Sequence, residues 1–290
     1  MAGHPGATVR LGLNPLASDG FDDDFDEHAP PPDGNPRIVL IPPGGTGDDA
    51  LKSDFRSDDT ELVRWRLVVE DLGGAAVLTL EWDAEELSGG HALYLQPIDP
   101  ASESASGPAI NMALATTLDV YDPGAYEIVY AAPQELAIPI VRGWNLISTP
   151  FISDQTLAAL FAQHPGAVFA AWRHADGRYW RLEDGDALFA EHGYWLFWWG
   201  EATTITLRGI PADGLAVFGP GWHLIGPVGD ITSAQLIQTA QPPLPANSRL
   251  WTHAPGEEAP HPLPADGNLA PGSAGWVFLP TETLLDLGMP

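Results

Sequence analysis

The sequence predicts an all-β protein in which an N-terminal β-sandwich is followed by a duplicated β-rich repeat domain with one short helix per repeat. The 31 glycines and 29 prolines among 290 residues require many turns, and only 18% of the residues are charged. Runs of alternating apolar and polar residues are typical of short strands with one buried face. Three short motifs also recur in the same order at an offset of about 80 residues, which indicates a duplication.

We expect the first domain, residues 1–136, to combine an acidic arm with the sandwich. Acidic residues are densest in Asp19–Glu61, where Pro30–Pro32 excludes a helix or a central strand. We interpret the aspartate run that leads to these prolines as an extended arm that crosses the domain surface, with Phe21 and Phe25 as its anchors. The strands of the sandwich are expected in six apolar runs: Arg37–Ile41, Leu62–Val69, Val77–Trp82, Ala92–Pro97, Thr117–Tyr121 and Gly124–Tyr130.

The second domain, residues 137–290, is expected to hold two copies of the repeat, at about 138–210 and 216–290. Each copy carries an aspartate and then a threonine ahead of a short apolar run, which is the N-cap signal of a helix. We expect Trp144 and Trp222 to be buried at equivalent strand positions, and Tyr194 to match Trp276. The recurring motifs are Gly143–Ser148 with Gly221–Gly226, Trp172–Gly177 with Trp251–Gly256, and Gly193–Trp195 with Gly275–Val277.

Net charge and composition restrict the partners. The formal net charge of −27 repels phosphate backbones and anionic bilayers, so no nucleic-acid partner is expected. No apolar run approaches the roughly 18 residues that a membrane-spanning helix needs, and the N-terminus lacks the features of a signal peptide. Membrane insertion is therefore not expected, whereas protein and glycan surfaces stay open as partners. The absence of cysteine excludes disulfides and thiolate metal sites.

The repeated motifs resemble those of a group of bacterial proteins. Gly143–Ser148 and Gly221–Gly226 look like the G-W-N-L-[IV]-S repeats of large secreted or surface-attached proteins. Ala17–Asp22 through Pro30–Pro32 is similar to the Asp-Gly-aromatic-Asp and Pro-Pro arm that opens a β-sandwich in the same proteins, and Asp122–Tyr126 is similar to its last hairpin. The second copy has a histidine and a glycine where Asn and Ser are expected. The resemblance implies an extracellular or cell-surface location in a bacterium, with no activity attached.

Asp22, Asp24 and Asp26 are the candidate metal ligands. Carboxylates at alternate positions place hard oxygen atoms close together, as calcium prefers. An EF-hand is excluded because it needs glycine where Glu27 stands and a helix where the prolines follow. Calcium would therefore be held by an irregular loop, and the alternative is a solvated acidic arm without an ion. No other cofactor is expected.

Trp198 and Trp199 are the candidate ligand-binding residues. They end the run Tyr194–Trp199, in which a strand places aromatic side chains on both faces. Exposed indole rings stack on the apolar faces of sugars, which would make this strand part of a carbohydrate-binding site. The alternative is that these rings fill a core or pack against the N-terminal sandwich.

No catalytic residue is predicted. The sequence has none of the common nucleophile or metalloenzyme motifs, and Gly44–Ser53 has leucine where a phosphate-binding loop needs glycine, so it is interpreted as an acidic loop. A cluster of acids after one strand could serve a glycosidase only at the right separation, and acidic turn residues are the common alternative: Glu81, Asp83, Glu85 and Glu86.

His174 and His253 occupy the same place in both copies. Each could bond a backbone carbonyl, and the alternative is that they bind a metal together. Taken with the composition and the resemblance, these residues favour a non-enzymatic extracellular or cell-surface structural or adhesion module. The alternatives are a carbohydrate-binding module with exposed tryptophans and a secreted hydrolase with a site between the two halves of the chain.

Overall fold

The computed structural model of the chain describes residues 7–58, 61–83, 90–101, 105–166, 168–175 and 177–289. Across these residues the chain is all-β, as the sequence predicts, with two short α-helices. It forms two compact units, Met1–Ala101 with Ala105–Ala132 and Pro133–Pro290. Neither of the described α-helices is long and apolar enough to cross a bilayer.

The first unit contains ten strands in its described part: β1 (Arg10–Leu13), β2 (Glu27–His28), β3 (Arg37–Ile41), β4 (Leu51–Arg56), β5 (Leu62–Asp71), β6 (Leu78–Glu81), β7 (Ala92–Ile98), β8 (Ile110–Asn111), β9 (Thr117–Val120) and β10 (Gly124–Ala131). The larger sheet has the order β1-β4-β3-β5-β10-β7-β8, with β2 also paired to β4, and β6 pairs with β9 in a separate sheet. One hydrophobic cluster takes Trp65 and Ile128 from the larger sheet and Leu80 and Val120 from the smaller one.

Hydrophobic periodicity accounts for most of these strands. In β5 the buried apolar residues alternate with half-buried arginines, and the buried set is Val63, Trp65, Leu67 and Val69. The six predicted runs agree with β3, β5, β6, β7, β9 and β10 to within two residues. Strands β1, β2, β4 and β8 were not predicted. β4 begins at Leu51, inside the segment interpreted as a loop, and its buried positions do not alternate regularly.

Carboxylates, more than aromatic rings, hold the acidic arm to the first unit. Asp26 is buried, and its two carboxylate oxygens accept the backbone N–H groups of Phe55 and Asp22, each at 2.8 Å. Phe21 is 42% exposed and stacks on His28 with ring centroids 4.6 Å apart. The expectation that Phe21 anchors the arm is therefore wrong.

The second unit contains fifteen strands and two helices among its described residues: β11 (Gln134–Ile140), β12 (Gly143–Ser148), β13 (Phe151–Ile152), α1 (Leu157–Phe161), β14 (Phe169–Ala175), β15 (Arg178–Arg181), β16 (Gly193–Trp198), β17 (Thr203–Pro211), β18 (Leu215–Phe218), β19 (Gly221–Ile225), β20 (Ile231–Thr232), α2 (Ser233–Thr239), β21 (Trp251–Thr252), β22 (His261–Pro262), β23 (Asn268–Leu269), β24 (Gly275–Leu279) and β25 (Thr283–Asp286).

Two four-stranded antiparallel sheets dominate the second unit. The first has the order β12-β16-β14-β15 and the second β19-β24-β21-β22, so corresponding strands occupy corresponding places. Antiparallel pairs β11·β17 and β18·β25 accompany them. In each sheet the edge strand with the Gly-Trp motif, β12 or β19, thus pairs with the strand that carries the Gly-aromatic motif, β16 or β24.

The strand register corrects one expected equivalence. In the first sheet Leu146 lies opposite Trp195, and in the second Leu224 lies opposite Trp276. Trp276 therefore occupies the position equivalent to Trp195. The expected equivalence of Trp276 with Tyr194 is wrong. Tyr194 instead points to the other face of its sheet, where it is fully buried.

Threonine side chains start both helices. The hydroxyl of Thr156 accepts the N–H of Ala159, and that of Thr232 accepts the N–H of Gln235, each at 3.2 Å. The N-cap signal in each copy therefore lies in its threonine. The helices bury their apolar side chains in the cores, as Leu160 does in α1.

A polar side chain ties each first strand to the turn before it. The buried amide of Asn145 accepts the N–H of Val141 at 2.9 Å and donates to its carbonyl at 2.8 Å. A ring nitrogen of His223 bonds the carbonyl of Gly219 at 2.7 Å. Both partners lie four residues earlier in the chain. His223 therefore makes the same kind of hydrogen bond to a backbone carbonyl as Asn145 does.

Candidate functional site

The first strand of each four-stranded sheet exposes a tryptophan. Trp144 is 45% exposed and Trp222 is 49% exposed, so the expectation that both are buried is wrong. The other face of these strands packs on the two hydrophobic cores, as Ile147 and Ile225 do. Since neighbouring residues of a strand point to opposite faces, Trp144 and Trp222 lie on the outward faces.

We call these outward faces the aromatic surface. Its rings are Trp144, Trp172, Trp195 and Phe197 from the first sheet, Trp199 directly after β16, and Trp222, Trp276 and Phe278 from the second sheet. In the first sheet Trp144 lies at the centre, with its ring centroid 5.1 Å from those of Trp172 and Phe197 and 5.9 Å from that of Trp195. In the second sheet Trp222 lies 5.5 Å from Phe278 and 6.5 Å from Trp276. Tilted and edge-to-face contacts of this kind fix the orientation of the rings.

The two sheets meet through reciprocal contacts between a histidine and a tryptophan. His174 of the first sheet lies edge-on to Trp276 of the second at 4.6 Å, and His253 beside the second sheet lies edge-on to Trp195 of the first at 4.9 Å. Leu146 and Leu224 pack together beside Trp195 and Trp276. We call this contact region the junction. The junction partly covers the inner tryptophans, Trp195 and Trp276. The outer rings stay exposed to solvent: Trp144, Trp199, Trp222 and Phe278.

Backbone hydrogen bonds cross the junction in both directions. The N–H of Ser148 donates to Gly272 at 3.1 Å, and the N–H of Gly226 donates to Glu191 at 2.9 Å. An added Cβ at Gly226 would collide with the Cβ of Ser148. The second copy therefore has glycine where the first has serine, because the two positions touch.

Histidines near the junction are held in their neutral form. Desolvation, together with the nearby charges of His223 and Arg173, lowers the pKa of His192 to about 4. Desolvation also lowers the pKa of His174, against the opposing effect of a hydrogen bond with the Trp222 backbone, and lowers that of His223. Protonation here would place charge beside apolar rings.

The structure separates the two predicted ligand-binding residues. Trp198 is only 2% exposed, stacks on Phe161 and donates its indole N–H to the Glu201 carbonyl at 2.8 Å, so its predicted role in binding is wrong. Trp199 is 56% exposed, and the guanidinium of Arg142 lies 4.7 Å from its ring centroid. Only Trp199 of this pair belongs to the aromatic surface.

Sequence reasoning missed Trp144, Trp222 and Phe278 as surface residues. The signal was present, because Trp144 and Trp222 are copies of each other within the most clearly repeated motif. Periodicity placed each of them on the same face as a leucine two residues later. Two apolar residues on one face of a strand are expected to be buried together, so periodicity predicts burial for both. In the structure only the leucine is buried, at the junction.

The predicted calcium ligands take part in hydrogen bonds within the arm. A carboxylate oxygen of Asp22 accepts the N–H of Ser18 at 2.6 Å, and both oxygens of Asp26 accept backbone N–H groups. Asp24 is exposed. These bonds account for the conformation of the arm from its own residues, and calcium binding stays a prediction.

Other acidic residues and histidines give no candidate metal site within the described part of the chain. A depression of about 490 Å³ in the second unit is lined by Glu135 and Asp230, which are bonded by Arg208 and Asn268. No described set of three or more His, Asp or Glu side chains could hold a metal ion. The predicted acidic cluster has Glu81 and Asp83 exposed, and its other two members, Glu85 and Glu86, lie outside the described residues.

Comparison with known proteins adds no relative. No protein-family model, curated protein or solved structure matches the chain.

Proposed function

We propose that this chain is a non-enzymatic extracellular or cell-surface module of a bacterial protein, which attaches to its partner through the aromatic surface of the second unit. The location rests on the resemblance of the repeated Gly-Trp motifs and of the acidic arm. The attachment rests on one observation, the cluster of exposed rings around Trp144, Trp199, Trp222 and Phe278.

The chemistry of these rings supports a binding role. Contiguous exposed apolar patches on soluble proteins mark interaction sites, and tryptophan contributes more to binding energy than most residue types. The rings are also fixed before any ligand arrives, because they contact one another and stand on paired strands. A partner therefore meets a rigid surface and loses little free energy in ordering it.

The test compares two sets of tryptophans. The double variant Trp144→Ala/Trp222→Ala removes the outer rings of the aromatic surface from the full chain. Trp180→Ala is the matched control, because Trp180 is also exposed but lies on the other face of the first sheet, opposite Arg173. Retention is measured on beads that carry insoluble polysaccharides or immobilised proteins.

We expect the wild-type chain and the control to be retained on at least one matrix and the double variant to be retained at least about tenfold more weakly, since hot-spot tryptophans contribute about 2 kcal/mol or more. Circular dichroism must show that both variants are folded. Equal retention of the double variant, or no retention of the wild-type chain on any matrix, would overturn the proposal.

A further inference from the structure

Charge is segregated away from the aromatic surface. The chain has 39 acidic residues, yet none of the eight strands of the two four-stranded sheets contains Asp or Glu. The first sheet carries Arg173, Arg178 and Arg181, and Arg142 directly precedes it. In a chain with only 12 basic residues, four of them are thus collected at one sheet.

Two of these arginines, Arg142 and Arg181, lie on the side of the aromatic surface, whereas Arg173 and Arg178 lie on the other face of the first sheet. The guanidinium carbon of Arg142 lies 4.7 Å from the ring centroid of Trp199. Arg181 stands opposite Trp172 in the register, on the outward face. Among the described residues neither Arg142 nor Arg181 forms an ion pair with an acid, so their guanidinium groups can meet a carboxylate of a ligand.

We infer that the aromatic surface binds a polysaccharide that carries carboxylates, a polyuronate. This inference rests on the proposed function and names the ligand class. A uronic acid residue has an apolar C–H face that stacks on an indole and a planar carboxylate that fits the paired donors of a guanidinium. The aromatic surface offers both features in adjacent residues, whereas an acidic residue on it would repel the carboxylate.

The net charge of −27 does not oppose this inference at short range. At physiological ionic strength the screening length is about 8 Å, so acidic groups elsewhere on the molecule act weakly on a ligand at the sheet. The local residues then decide the interaction. Binding should therefore weaken in high salt, because contacts between arginine and carboxylate are screened while ring stacking persists.

The experiment uses the full chain and affinity electrophoresis in gels that contain polygalacturonate, alginate or hyaluronate. Each polymer is compared with its carboxyl-reduced form, which keeps the sugar chain and removes the charge. The variant Arg142→Gln/Arg181→Gln removes two guanidinium groups from the aromatic surface. Arg208→Gln is the control, since Arg208 is exposed on β17 and its ion pair with Glu135 is a surface pair.

We expect retardation by at least one polyuronate, weakened about tenfold or more by carboxyl reduction or by the double arginine substitution, and unchanged in the control. Equal affinity for a polyuronate and its reduced form would overturn the carboxylate inference and leave the proposed attachment standing. Absence of binding to all three polyuronates, while the chain is retained on other beads in a tryptophan-dependent way, would also overturn it. Failure of the proposed function is separate, because it shows as retention that does not depend on Trp144 and Trp222.

Discussion

Protonation of His192 should destabilise the second unit as the pH falls. In the folded chain the pKa of this imidazole lies at about 4, against an ordinary value of 6.5. The unfolded chain therefore binds the proton more tightly than the folded chain does. The contribution of this residue to stability is complete above about pH 6.5 and is lost progressively as the pH falls towards 4.

The magnitude follows from the shift. A difference of about 2.5 pH units corresponds to at most about 3 kcal/mol, and the loss between pH 7 and pH 4.5 is about 2 kcal/mol. Urea unfolding measures it through tryptophan fluorescence, which reports on the second unit because all tryptophans except Trp65 and Trp82 lie there. With a slope of about 2 kcal/mol per molar urea, the midpoint should fall by about 1 M.

The variant His192→Gln isolates this contribution, since glutamine does not titrate. Between pH 7 and pH 4.5 the wild-type chain should lose about 2 kcal/mol more than the variant, while the shifts at His174 and His223 act in both proteins. His28→Gln, an exposed change in the first unit, is the control and should behave as the wild type. If the wild-type chain and His192→Gln lose the same stability over this range, the neutral state assigned to His192 is incorrect.

Two further predictions concern the packing of the second unit. Trp198→Ala should cost about 3 to 5 kcal/mol of unfolding free energy because its ring fills a core, whereas Trp199→Ala should cost under about 1 kcal/mol. Equal losses of melting temperature in the two variants would contradict this assignment. Gly226→Ser should cost about 1 to 3 kcal/mol because its Cβ meets Ser148, and a second change, Ser148→Gly, should recover part of it. If Gly226→Ser is as stable as the wild type in urea, the expected clash with Ser148 does not destabilise the junction, and this prediction is wrong.

Local pattern was sufficient to predict most strands of the first unit. Alternation identified β5 within two residues because one of its faces is buried and the other is half-buried. It failed at β4, where Ser53 and Asp54 are neighbours and both are buried. A polar residue that is buried by its hydrogen bonds, as Asp54 is by its ion pair with Arg56, gives no periodic signal.

The candidate site depended on which face of a strand is covered, and periodicity does not contain that information. Trp198 and Trp199 are adjacent and chemically identical, so the sequence could place them on opposite faces but could not say which face meets the core. The equivalence of His174 and His253 was readable from the repeat. Their contacts with Trp276 and Trp195 were not, because these depend on how one sheet meets the other.

The arrangement of the Gly-Trp motif explains how one short sequence both joins the sheets and leaves an exposed surface. Along β12, Trp144 and Leu146 share a face, and a separation of two residues spans about 7 Å. Leu146 is buried at the junction with Leu224, whereas Trp144 and Trp222 stand beyond its edge. The exposure of the two tryptophans is therefore a direct consequence of the same contact that buries the leucines. Since this holds in both copies despite the exchange of Asn145 for His223, the geometry of the junction, and not the neighbouring residue, keeps the outer rings in solvent.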